Sequence, residues 1–83
     1  MPYHIKHIPK GELGEFSKIM EEVLELGDAI DQNNKVMALV ELSDLIGAIE
    51  LYALKQFNGS VSLDDLLRMK ETTQRVFRDG TRR

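Results

Sequence analysis

Glu21-Glu22-Val23-Leu24-Glu25, the polar turn Asp31-Gln32-Asn33-Asn34-Lys35 and Glu41-Leu42-Ser43-Asp44 together decide how this chain folds. Before the turn, Leu13, Phe16, Ile19, Met20, Val23, Leu24, Leu26 and Ile30 recur at steps of three and four residues. That is the period of an amphipathic helix, which should run from Glu12 to the 31–34 stretch. There amide and carboxylate side chains compete for the backbone and end it. A second helix is expected from Val36 to Phe57. The acidic clusters stand almost equally far from the turn on its two sides. A hairpin therefore brings Glu25 level with Glu41, and Glu22 level with Asp44. Four carboxylates then converge, a costly arrangement unless a cation neutralises it.

Further along, Asn58-Gly59 closes the second helix, because glycine just past a helix end takes the left-handed cap at little cost. Ser62 and Asp65 form a capping-box pattern, with aspartate in the usual place of glutamate. They open a third helix from Leu63 to about Phe77, which Asp79-Gly80 ends before the basic tail Thr81-Arg82-Arg83. Residues 1–10 read as an irregular arm, since Pro2 and Pro9 argue against a continuous helix. No period-two alternation is present. The expectation is one all-α domain over 1–83,.

The second helix is apolar around nearly its whole circumference, through Val36, Leu39, Val40, Leu42, Leu45, Ile46, Ile49, Leu51, Leu54 and Phe57. Such a helix must be buried on all sides. Two other helices of an 83-residue chain can hardly enclose it. A second copy is expected to complete a four-helix-bundle-type core, the alternative being a monomer with an exposed apolar patch. A membrane span over the same stretch is disfavoured by Glu41, Asp44 and Glu50, each costing about 3 kcal/mol at a bilayer centre. The start of the chain lacks the apolar run of a secretory signal. With no cysteine, disulfides and thiolate zinc sites are excluded, and a reducing cytoplasm is the expected setting,. A net charge of −3 argues against nucleic acid as the main partner, the cluster Arg75, Arg78, Arg82 and Arg83 being short,.

Residues three apart on a helix are neighbours on one face. Glu22 and Glu25 taken alone read as a solvated pair. Glu41 and Asp44 differ, because they interrupt an apolar helix with no lysine or arginine within four residues on it. Gly47, one turn past Asp44, and Gly27, two residues past Glu25, either leave room beside the carboxylates or serve tight helix packing. Interior glycine costs about 1 kcal/mol relative to alanine, so either use needs a reason. A carboxylate-only site is a hard-oxygen site suited to Mg²⁺ or Mn²⁺. A di-iron bundle would want Glu-x-x-His on its helices, but His4 and His7 precede the first helix.

The pattern Lys18-x-x-Glu21-Glu22-x-x-Glu25, a short turn, then Glu41-Leu42-x-Asp44-Leu45 resembles the MazG-like all-α nucleoside triphosphate pyrophosphohydrolases, over roughly half the chain. The resemblance implies Mg²⁺-dependent hydrolysis of a nucleoside triphosphate to the monophosphate and pyrophosphate. It makes Glu22, Glu25, Glu41 and Asp44 the metal ligands, and Glu21 a group that orients or deprotonates water or else faces solvent. Lys18 either reaches a phosphate or pairs with Glu22 on the surface. The family's basic residues from a later helix map loosely onto Lys70, Arg75 and Arg78, whose other use is favourable charge near a helix C-terminus. The resemblance also implies a homodimer or a dimer of dimers. Tyr3, His4, His7, Phe16 and Tyr52 are candidates for base stacking, though each also fits packing or surface. A non-catalytic helical interaction or nucleotide-binding module is the competing reading.

Overall fold

Gln32, Asn33 and Asn34 are all that separates two long helices, α1 (Phe16–Asp31) and α2 (Lys35–Gln56). The structure, a computed structural model, describes residues 4–78 and the side chains of 4–75. Tyr3, the Asp79-Gly80 stop, the basic tail and the side chain of Arg78 lie outside the described residues.

The turn is tight because each amide serves two ends. Asn33 adopts a left-handed backbone, φ 55°, which asparagine tolerates better than most residues. Its N–H reaches the Ile30 carbonyl at 2.9 Å, and the Asn34 N–H reaches that of Ala29 at 3.0 Å. Two orphan carbonyls of α1 are thereby satisfied. The Asn34 side chain then accepts from the Met37 N–H at 3.0 Å, capping α2,. With no slack in the connection, α1 and α2 must pack antiparallel in a fixed register. Their far ends are tied as well: Gln56 Nε2 donates to the Gly14 carbonyl at 2.9 Å, and Lys55 pairs with Glu15.

α1 begins at Phe16, not at Glu12 as the periodicity implies. Gly14 has φ +84°, outside helical geometry, so the helix cannot extend back through it. Just before it the arm crosses the first turn of α1 closely. A Cβ on Gly11 would lie 2.3 Å from the Ser17 carbonyl, so only glycine fits there.

At the end of α2 the first left-handed position is taken by Asn58, φ 54°, with Gly59 following at φ 80°. The Gly59 N–H closes the cap on the Leu54 carbonyl at 2.8 Å. The expected capping box opens the last helix, α3 (Leu63–Arg78). Ser62 donates its N–H to Asp65 Oδ2 at 2.8 Å and accepts from the Asp65 N–H at 3.2 Å. Among the described residues, α3 touches α2 and not α1. The molecule accordingly measures 42 × 32 × 19 Å.

The described residues are all-α, with no strand among them, and no described helix is long and apolar enough to cross a membrane. Among the described residues, Ala29, Met37, Ala48 and Ala53 are the buried apolar side chains. The apolar circumference of α2 stays largely uncovered by its own chain, with Val36 at 74%, Leu39 at 67% and Phe57 at 53% exposure.

If the hairpin turn sets the register, Asn34→Ala should cost about 1 kcal/mol through the lost cap. Asn33→Gly should be neutral or stabilising, since it keeps the left-handed cap. Denaturant unfolding of both variants checks this, and an unchanged midpoint for Asn34→Ala contradicts it.

Candidate metal centre

Among the described residues, as many acidic side chains are buried as apolar ones: Glu21, Glu22, Asp28 and Glu41. α1 presents Glu21, Glu22, Glu25 and Asp28 at three- and four-residue steps, so they share one face. α2 presents Glu41 and Asp44 opposite. Ligand oxygens of Glu22, Glu41 and Asp44 lie within 4.8 Å of one another, as do those of Glu21, Glu22 and Glu25. The expected convergence across the hairpin is therefore present, as overlapping triads joined through Glu22. Asp44 differs from its expected burial and stands exposed at the rim.

Glu41 is the deepest member, with 0% exposure. Its Oε1 is buried without a hydrogen-bond partner. Its Oε2 receives a hydrogen bond from His4 Nε2 at 2.7 Å. The other face of that imidazole, Nδ1, donates to Asp28 Oδ2 at 2.9 Å. A carboxylate pair that accepts from both ring nitrogens requires the doubly protonated imidazolium. Burial opposes that charge on His4, but Asp28, Glu41 and Glu25 outweigh it and raise its pKa above the ordinary histidine value. Asp28, 1% exposed, accepts also from the Ile5 N–H and Gln32 Nε2, both at 2.9 Å. Burial favours its neutral form, yet these donors hold its carboxyl below the usual range.

Glu21 is engaged differently. Its Oε1 accepts from the Gly11 N–H at 2.8 Å and lies 3.1 Å from Lys18 Nζ. Burial pushes its pKa up, but these two donors bring it below the ordinary value. Lys18 thus pairs with Glu21 in place of the expected Glu22 partner. Glu22 is raised, by burial first and then by the charges of Asp44, Glu41 and Glu21, with Lys18 opposing. Glu25 is pushed up to about 7 by burial, contact with Glu21 and the charges of Glu22 and Glu41.

A cleft of about 790 Å³, between the arm and the hairpin, is lined by His4, Glu21, Glu22, Glu25 and Asp44, while the buried Glu41 and Asp28 stand outside its lining. That volume is in the range of small-molecule sites. Lys6, His7 and Lys10 of the arm line one side; Lys18, Asp44 and Gly47 are on the other. A Cβ on Gly47 or Gly27 would meet nothing within 4 Å, so tight packing within the chain does not explain either glycine. Gly47 widens the cleft beside Asp44. Lys70 and Arg75 are exposed on α3 and do not line the cleft, nor do Phe16 and Tyr52. Within one chain the structure puts Lys6 and Lys10 where those α3 residues were expected.

His4 and Asp28 are the members that sequence reasoning missed as part of the site. Asp28 continues the three-residue step from Glu25, which was a visible signal. His4 lies in an irregular arm, where no periodicity indicates what a side chain meets.

The chain matches no protein-family model, no curated protein and no solved structure. The chemistry of the site is therefore read from its own residues.

Without divalent cations, stability should fall as pH rises from 5 to 8. Glu25 and Glu22 have folded pKa values above their unfolded ones, so the native state binds more protons and loses stability as they ionise,. His4, also raised, loses its stabilising charge in the same direction. Thermal unfolding across that range should show a declining Tm, flattened in Glu25→Gln. A Tm that rises with pH contradicts the site as described.

Proposed function

We propose that the protein is a Mg²⁺-dependent nucleotide pyrophosphohydrolase, with Mn²⁺ as an alternative ion, cleaving a nucleoside triphosphate to the monophosphate and pyrophosphate. The observation that carries the reading is Glu41, a wholly buried carboxylate with an unpartnered oxygen among three further acidic ligands. One oxygen of Glu41 is held by His4, but a buried acceptor left without a partner costs about 1–3 kcal/mol, so the donor set fits a hard divalent cation at Oε1,. Glu22, Glu41 and Asp44 would hold it, with Glu25 adjoining.

Bound there, the ion would neutralise phosphoanhydride charge and supply an activated water. The chain's own residues do the rest. Lys18, steadied by Glu21, and the exposed Lys10 face the cleft where triphosphate oxygens would lie. Glu21, held ionised by Gly11 and Lys18, keeps Lys18 in place and is the poorer candidate for proton abstraction. The arm covers one flank and restricts water around the reacting phosphate.

The uncovered face of α2 supports the second half of the proposal, a homodimer or dimer of dimers. Its exposed Val36, Leu39 and Ile46, with Phe57 just past its end, leave apolar side chains in solvent along the helix, and exposed apolar surface of this kind marks an interface. A second copy would complete the four-helix core and is the remaining source of further basic residues for the cleft, since Lys70 and Arg75 do not line it within one chain.

Glu41→Gln and Asp44→Asn should each abolish pyrophosphate release from a panel of nucleoside triphosphates while the oligomer persists in light scattering. Undiminished release by either variant, or orthophosphate as the product, contradicts the reading. Leu39→Glu should shift the protein to monomers by sedimentation; an unaltered oligomer shows that α2 is not the interface.

A further inference from the structure

Besides the carboxylate triads, a third group of ligand atoms gathers within 4.8 Å: His4, Glu25 and Glu41. His4 Nε2 is 2.7 Å from Glu41 Oε2 and 3.6 Å from Glu25 Oε2. The group is well enclosed, with side-chain exposures of 14% for His4, 14% for Glu25 and 0% for Glu41. Two features distinguish it from an ordinary ion pair. Glu41 Oε1 is buried and unpartnered, so a ligand oxygen remains available while Oε2 serves the histidine. Asp28, behind the ring, takes Nδ1 and is itself fixed by Ile5 and Gln32. A carboxylate on one imidazole nitrogen is the outer-shell arrangement that sets the tautomer and aims the other nitrogen at a metal.

We propose that His4, Glu25 and Glu41 form a second divalent-cation site, of mixed nitrogen and oxygen donors, oriented by Asp28 and sharing Glu41 with the carboxylate-only site. It deepens the functional reading above, on whose carboxylate site it rests. Imidazole suits first-row transition ions, whereas carboxylate oxygens suit Mg²⁺ and Mn²⁺. This site therefore selects an ion such as Co²⁺, Fe²⁺ or Zn²⁺. The proton now shared by Nε2 and Glu41 leaves when the ion enters, while Nδ1 keeps its proton on Asp28. Glu41, a member of both groups, joins the two sites, and the arm docks on the hairpin through the ligand it contributes.

The test reads metal binding and not hydrolysis. Full-length protein is titrated with Co²⁺, followed by visible absorption and calorimetry, and separately with Mg²⁺. His4→Ala and Asp28→Asn should weaken Co²⁺ binding by about 10- to 100-fold without weakening Mg²⁺ binding. Equal losses for both ions, or no loss for Co²⁺, overturn the proposal. In the unaltered protein, where no variant can misfold, Zn²⁺ should move the ¹⁵N resonance of His4 Nε2 and leave Nδ1 protonated. An unmoved Nε2 resonance at saturating Zn²⁺ overturns it equally. If no metal supports pyrophosphate release yet Co²⁺ binding depends on His4, the catalytic reading fails and the mixed site stands.

Discussion

The burial of the Glu41 carboxylate is the constraint around which the molecule is arranged. A carboxylate with no exposure must be neutralised, and α2 offers no basic residue within a turn of it,. The fold supplies partial compensation through His4, carried in from a remote part of the chain. That contact draws the arm down over α1 and α2, and Asp28 fixes it there through two arm donors, His4 Nδ1 and the Ile5 N–H. One oxygen of Glu41 is left without a partner even so. The same feature that organises the arm is therefore the one that asks for a ligand.

What puts Glu41 opposite Glu22 and Glu25 is the three-residue connection. Asn33 ends α1 and Asn34 starts α2, so the hairpin has one register, and the acidic clusters meet because they are symmetric about that turn. Energetically the local terms are small, about 1 kcal/mol for a cap. The exposed ion pairs, such as Lys6 with Asp31, contribute little more,. The apolar core is correspondingly slight: among the described residues, one methionine and three alanines are buried. Most of the hydrophobic surface of α2 points outward. Metal in the acidic centre and a partner on the apolar face are two ways of completing a chain this short, and the proposed function uses both.

Much of this was legible in the residues. Helical periodicity gave the three helices nearly to their ends, and the Ser62–Asp65 box opened α3 where expected. Glu22, Glu25, Glu41 and Asp44 could be placed because helix geometry fixes which residues share a face and the turn fixes their levels. The start of α1 was missed because Gly14 takes a left-handed backbone that apolar periodicity does not register. His4 was set aside because it precedes the first helix; its position depends on long-range bonds to Asp28 and Glu41, which no local pattern encodes. Lys18 chose Glu21 over Glu22 for a similar reason, since the Gly11 N–H already orients Glu21 toward it.

Divalent-cation binding tests the central claim most directly, because a centre of this kind should be stabilised by the ion whatever reaction it serves. A ligand at 100 times its Kd stabilises the native state by about 2.7 kcal/mol. Thermal unfolding at pH 8 with increasing Mg²⁺ or Mn²⁺ should therefore show a saturable rise in Tm, abolished in Glu41→Gln. A Tm that does not respond to either ion, or that rises equally in Glu41→Gln, contradicts a metal centre built on Glu41.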